Sequence, residues 1–467
     1  MNKMKQYTKG LLFAALAVAG LSLTSCKDQP DKYVVADGTP TVHYVRCLST
    51  EVKNTKDAAD THYTNGELVV ETSPQSTVAL IGENLRSVYE LYFNDRKAVL
   101  NNSLITDNTL IVDVPKDVPV MVTDKIYLVT QSKDTVTYDF HVIIPSPVIT
   151  AMSCEYAKPG SRVTITGNYM VNDAGVPLEV FFRNADDRDI PATINSIADD
   201  YTSVEVTVPE DAAEGPVTIA SIYGSTQSAF HYMDTRGMLF DFDTPNSETG
   251  VVLGNHGWHA RDILADETSL SGKFVQLGDA GTTLNEEGRW DDSKFSFEYW
   301  PGNWADPETY QGDGVRLTSL ADFSKWENMA YKFEMYIPSS NPWMAGAMQI
   351  IVGGVDKVSN GNAGVKDIDG NTLGGANNTY FNNDQLPRAL YRPWTTTGSY
   401  DTGDQWVTVT IPIKSSFTYG MSGAAATGSL KAEDFTSLII FVVGGGVNGT
   451  ECNPIIKIDN IRAVPYN

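Results

Sequence analysis

The chain has 467 residues, a net charge of −24, and 42% hydrophobic against 20% charged side chains. That length accommodates two to four domains, and the acidity argues against nucleic acid and polyanionic polymers as partners. Of four cysteines, three (Cys47, Cys154 and Cys452) lie beyond residue 26, an odd and widely spread set that fits neither a disulfide framework nor a zinc motif.

The first 26 residues read as a targeting segment. Lys3, Lys5 and Lys9 precede an apolar run at 10–20 that is too short to span a bilayer. Leu23-Thr24-Ser25-Cys26 follows and resembles a bacterial lipobox, which implies cleavage after residue 25 and acylation of Cys26. The stretch Lys27-Asp28-Gln29-Pro30-Asp31-Lys32 resembles the surface-export signal of Bacteroides-type lipoproteins. The expectation is a leader at 1–25, a tether at 26–39, and a chain held by lipid on the outer face of the outer membrane. Removing the three leader lysines takes the net charge from −24 to −27. No later segment is long and apolar enough to cross a membrane.

Residues 40–235 hold an internal repeat. Pro40 to Cys47 aligns with Pro147 to Cys154, so the two cysteines are equivalent core positions and not partners. Ser76-Thr-Val-Ala-Leu-Ile-Gly82 aligns with Ser161-Arg-Val-Thr-Ile-Thr-Gly167, and Leu91-Tyr-Phe with Val180-Phe-Phe. Leu110-Ile-Val-Asp-Val-Pro115 aligns with Val204-Glu-Val-Thr-Val-Pro209. Each run alternates apolar and polar, the period of a half-buried strand. Residues 50–72 are an insertion in the first copy, read as a loop or hairpin. These motifs resemble IPT/TIG immunoglobulin-like domains, which implies β-sandwiches at 40–145 and 146–235. Ile144-Pro-Ser-Pro147 joins them as a short, stiff connection.

After residue 237 Gly, Asn and Trp rise. Strands are predicted at 239–243, 273–277, 295–299, 330–337, 348–352, 406–412, 438–443 and 455–462, about the number of a jelly-roll sandwich. A Gly/Asn-rich stretch between Val352 and Asp384 is long enough to be functional or disordered. Phe-Asp-Phe-Asp at 240–243, the strand that opens on Trp406, and Ile-Asp-Asn-Ile-Arg at 458–462 resemble carbohydrate-binding β-sandwich domains. The order of parts resembles the type B surface glycan-binding proteins of polysaccharide utilisation loci, with a xyloglucan-binding-like domain at 236–467. The resemblance implies an all-β chain of tandem IPT/TIG sandwiches and one large jelly-roll-like sandwich. It implies a non-catalytic protein that binds a neutral polysaccharide, such as a β-glucan or xyloglucan, and works beside an outer-membrane transporter and a surface glycosidase. A surface glycoside hydrolase or lyase of the same architecture is the alternative.

All eight tryptophans lie between Trp258 and Trp406. An indole covers the flat C–H face of a pyranose while amides and acids take its hydroxyls. Trp304, Trp343 and Trp394 stand among Pro, Gly and Asn in loop sequences, and are expected to hold their rings out to glycan. Trp300 follows Phe295, Phe297 and Tyr299 in alternation, so it falls on the opposite face with Ser296 and Glu298 and joins the expected platform. Trp326 and Trp406 read as structural; Trp258 and Trp290 fit either role. His256 and His259 are spaced as in metal sites but read as loop histidines. A structural Ca²⁺ at Asp241, Asp243 and Asp459, on the first and last strands, is the one cofactor the pattern leaves room for. No nucleophile elbow, zinc-protease motif or P-loop occurs, and Glu298 is the best single candidate acid.

Overall fold

The computed structural model describes residues 36–51, 61–119, 121–173, 175–254, 261, 263–289, 294–299, 301, 315–353 and 384–466. These are almost entirely strands joined by turns and short 3-10 segments, with one four-residue α-helix at Ile413–Ser416. Among the described residues no helix is long and apolar enough to cross a membrane. The chain divides into two compact units, residues 1–145 and 146–467.

The first unit is a sandwich of two four-stranded sheets. One runs in the order Thr61–Val69, Thr41–Glu51, Thr77–Glu83, Thr109–Asp113; the other runs Arg96–Lys97, Val88–Phe93, Lys125–Thr130, Thr135–Asp139. Alternate side chains turn inward, among them Val45, Cys47, Leu80, Leu91, Leu110 and Leu128. Within the insertion at 50–72, Thr61–Val69 is a hairpin arm that pairs antiparallel with Thr41–Glu51.

The repeat has a structural reason at its glycine. A Cβ on Gly82 would lie 1.7 Å from the carbonyl oxygen of Thr41, and a Cβ on Gly167 would lie 1.7 Å from that of Val148. In both copies the first strand bulges just beyond this point, between Val42 and Tyr44 and between Ile149 and Ala151. Only glycine lets the two backbones close there. Cys47 and Cys154 are both buried and free.

The second unit joins two sandwiches. The smaller pairs Val148–Met152, Arg162–Asn168, Ser203–Thr207 and Thr193–Ile197 against Asp189–Pro191, Glu179–Asn184, Ala212–Ser221 and Gly224–Tyr232. The larger, the head, has one sheet ordered Ile263–Leu264, Phe274–Leu277, Ile456–Pro465, Met329–Tyr336, Val407–Pro412, with Met238–Phe240 also on Ile456–Pro465. Its other sheet is Ser296–Tyr299, Ser437–Val443, Ala347–Gly353, Arg388–Tyr391. All eight predicted head strands are present. Ile263–Leu264 and Arg388–Tyr391 are additions, short strands without a readable period. The stretch expected to be a long loop lies, at 354–383, outside the described residues.

At the boundary read at 235/236 the two sandwiches pack against each other in a weld. Leu270, Met238 and Trp406 of the head pack into the core of the smaller sandwich. The Trp406 indole, expected to be structural, donates to the Thr268 carbonyl at 2.7 Å. Beside it lies a buried charge network. Arg462, with no exposed surface, donates to Glu155 at 2.7 Å and to both carboxylate oxygens of Glu334 at 2.7 and 3.1 Å. Lys332 donates to the other oxygen of Glu155 at 2.5 Å. The Thr408 hydroxyl donates to Glu334 and accepts from the Glu155 amide, and the Tyr156 ring lies 4.9 Å from the guanidinium. Two cations and two carboxylates thus neutralise each other out of water, with Glu155 from the smaller sandwich and the other three from the head.

Breaking such a set leaves a buried charge unmatched, at a cost of about 3–5 kcal/mol, whereas the intact set adds little net stability. Glu155→Gln should therefore lower the unfolding free energy by roughly that amount. Urea unfolding followed by tryptophan emission reads the effect on the head, because every indole resides there. An unchanged midpoint would mean that the junction does not rest on this network.

Candidate glycan-binding face

A sandwich has two outer faces, and the weld occupies part of one. Lys332, Glu334, Thr408 and Arg462 project outward from their sheet, while Tyr331, Phe333, Val409 and Ile461 fill the core. The outer face of the Ser296–Tyr299, Ser437–Val443, Ala347–Gly353, Arg388–Tyr391 sheet lies away from the weld.

Register fixes which side chains share that face. Phe297, Tyr299, Ile440, Ile350 and Ala389 belong to the core. Their neighbours therefore point outward. Straight across the strands run Glu298, Ile439, Ile351 and Arg388 in one row, and Ser296, Phe441, Gln349 and Leu390 in the next. An antiparallel bridge from Arg388 adds Tyr419 at the edge, and Tyr419 bridges on to Ala425. Arg392 follows two residues beyond Leu390.

The middle of this face is polar yet buried. Ser296, Glu298, Gln349 and Arg388 are all at most 2% exposed. Arg388 donates to the Gln349 carbonyl oxygen at 2.8 Å, and the Gln349 amide donates to the Val443 carbonyl at 2.9 Å. Arg261 donates to the Ser296 carbonyl at 3.0 Å. Burying charge on the outside of a sandwich is costly unless it is paired, and here the groups are bonded to one another and to backbone. Phe441, Tyr419 and Arg392 are half-buried and form the accessible margin. The Arg392 guanidinium lies 6.0 Å from the Tyr419 ring centre and is anchored on the Gly445 carbonyl.

The tryptophan expectations need correction. Trp343 is fully buried and Trp394 is 4% exposed. Each indole N–H is satisfied by a nearby carbonyl, Trp343 by Ala345 at 2.6 Å and Trp394 by Gly346 at 2.7 Å. They are struts that pull two loops onto the core, with Tyr391 packed 6.1 Å from Trp343, and neither ring is available to a sugar. Trp326 is half-buried against Phe435. Trp258, Trp290, Trp300 and Trp304 lie outside the described residues, as do His256, His259 and Cys26. Tyr419, absent from the sequence expectations, lacks a signal in its own segment; only its pairing with Arg388 places it.

The acidic groups are engaged one by one. Asp241 accepts from the Asp243 and Thr244 amides, and Asp243 accepts from the Lys273 amide. Asp459 is fully buried and accepts from the Ser271 hydroxyl at 2.9 Å and the Asn460 amide at 2.8 Å. Burial raises the Asp459 carboxyl to about 7. Among the described residues the one cluster with metal-ligand spacing is Glu214, His231 and Asp234. There Asp234 is held by Arg236 through two bonds of 2.8 Å, and Glu214 by Thr235.

Residues 232–465 match the family described as surface glycan-binding protein B xyloglucan binding domain. The structure is similar to the crystal structure of the surface glycan-binding protein PbSGBP-B from Prevotella bryantii. The two are 48% identical with a TM-score of 0.76, over 92% of this chain and 99% of that one. An IPT/TIG domain-containing protein of Bacteroides ovatus is 24% identical over 230 residues, which is 47% of this chain. The match spans 43% of that curated relative's own length.

Replacing Trp343 or Trp394 by Ala should lower stability by about 3–5 kcal/mol, since each vacates a filled core site. Thermal melts check this, and an unshifted melt would return the rings to the surface. Asp459 gives a pH signature. Its folded-state pKa exceeds the ordinary value of about 3.9, so the folded protein keeps a proton that the unfolded chain gives up. Stability from this group is greatest below about pH 4, falls as pH climbs to about 7, and is level above. Asp459→Asn should therefore raise the unfolding free energy by on the order of 4 kcal/mol at pH 8 and change it little at pH 4. The comparison is made in chelating buffer; equal shifts at both pH values would contradict it.

Proposed function

The chain belongs to the surface glycan-binding protein B family, and we propose that it is a non-catalytic, lipid-anchored protein that captures a neutral plant polysaccharide at the cell surface and holds it for hydrolysis and import. The family match across the head carries this reading. The margin of the head sheet supports it, since the Arg392 guanidinium beside the half-buried Tyr419 and Phe441 rings offers the charged donor and aromatic surface that a hydroxyl-rich, flat-faced ligand requires. A chain of net charge −24 disfavours acidic polysaccharides, which leaves neutral ones such as xyloglucan and other β-glucans. Trp300 and Trp304 remain assigned to sugar stacking on sequence grounds, and Cys26 to the lipid anchor. The transporter and the surface glycosidase are the partners this role requires.

Affinity electrophoresis against xyloglucan, mixed-linkage glucan, laminarin, mannan and xylan should show retardation by at least one neutral glucan, with no new reducing ends after incubation. Absence of retardation throughout, or release of reducing ends, would overturn the reading. Cys26→Ala should yield a folded protein that leaves the membrane fraction for the soluble one; retention on the membrane would remove the lipid anchor from the proposal.

A further inference from the structure

Tyr419 and Arg392 stand together where the outer face of the head sheet meets solvent. Tyr419 reaches that face because its backbone forms both hydrogen bonds of a bridge with Arg388, Arg388 N–H to Tyr419 carbonyl at 2.8 Å and Tyr419 N–H to Arg388 carbonyl at 3.2 Å. Directly opposed residues of an antiparallel pair point the same way, and Arg388 points outward. The second bridge, to Ala425, holds the Tyr419 backbone from its other side. Behind it, a Cβ on Gly420 would strike Asp384, whose carboxylate clamps Ser422 by amide and hydroxyl at 2.8 and 2.7 Å. A half-buried ring on a backbone fixed at three points is pre-ordered for contact.

Arg392 is fixed as well. One nitrogen of its guanidinium is bound to the Gly445 carbonyl, and no carboxylate pairs with it among the described residues. Gly444, Gly445 and Gly446 all adopt left-handed backbone, with φ of 48°, 87° and 75°. Nothing lies within 4 Å of where a Gly444 Cβ would be, whereas a Gly445 Cβ would strike Ala347. The loop beside Arg392 is therefore a shelf without side chains, open above and packed below.

We infer that Tyr419, Arg392 and the glycine shelf at 444–446 form a pyranose subsite at the edge of the glycan-binding face. The ring covers the C–H face of one neutral sugar unit, and the guanidinium donates to its hydroxyl oxygens. The shelf leaves room for the adjoining unit. Tyr419 lies in the row of Arg388, while Arg392 and the shelf stand toward the end of the sheet where Ala347 pairs with Val443, so the subsite runs along the sheet margin beside the edge strand and not across its buried middle. This inference rests on the glycan-binding reading and adds a location and a residue pair to it.

The test uses the full chain with soluble xyloglucan and mixed-linkage β-glucan as probes, in affinity electrophoresis and calorimetry, with a melt for each variant. Tyr419→Ala should weaken binding about tenfold to a hundredfold, the range for losing one ring from a flat-face stack. Tyr419→Phe should bind within about twofold of wild type, because the ring and not the hydroxyl makes the contact. Arg392→Gln should weaken binding about tenfold without shifting the melt, as expected for loss of a charged donor. If Tyr419→Ala fails to fold, Arg392→Gln and Tyr419→Phe decide. Wild-type affinity in both Tyr419→Ala and Arg392→Gln overturns the subsite while leaving the glycan-binding reading intact. A wild-type protein that binds neither probe nor any other neutral glycan overturns both.

Discussion

The guanidinium of Arg462 organises the second unit. It sits where the last strand of the head passes under the smaller sandwich, and it binds one carboxylate from each: Glu155 from the sandwich and Glu334 from the neighbouring head strand. Burial works against its charge, yet Glu334 and Glu155 raise its pKa, so the charge is retained. Burial likewise pushes up the Glu334 carboxyl against the pull of Arg462. Neither group is tolerable in a dry junction without the other, and Glu155 in turn requires Lys332. All four groups are satisfied together in the relative placement that the two sandwiches adopt.

With one sheet partly turned against the smaller sandwich, the opposite sheet is the one whose margin the proposed subsite occupies. Its residues divide into a sealed interior of Ser296, Glu298, Gln349 and Arg388 and a margin of Phe441, Tyr419 and Arg392. The interior groups hold one another in register, as Gln349 does for Arg388, and so fix the strand edge from which the margin projects. Affinity for a hydroxyl-rich polymer depends on such prior ordering, because every rotor frozen on binding subtracts from it.

Much of this was legible in the sequence. All eight head strands were legible as apolar or alternating runs, and the aligned glycines of the repeat are where the structure brings two backbones together, at Gly82 and Gly167. What stayed hidden was direction and distance. Pro, Gly and Asn around Trp343 and Trp394 report a turn, but a turn can aim a ring inward as easily as outward; the deciding contacts are carbonyls of Ala345 and Gly346. The charge network joins residues 177 and 307 positions apart, and no local pattern encodes such a pairing. Tyr419 was passed over for the same reason, since its face is set by Arg388 on another segment.

The three buried thiols carry a consequence for how the protein withstands its surroundings. Cys47, Cys154 and Cys452 are unpaired and enclosed, and burial drives the pKa of Cys154 and Cys452 upward. A thiol kept protonated and out of reach neither attacks disulfides nor oxidises readily. The described sandwiches are held by packing, ladders and ion pairs, with no covalent cross-link among those cysteines. Their folding therefore calls for no oxidant, and neither a reducing nor an oxidising medium has a bond in them to break or make.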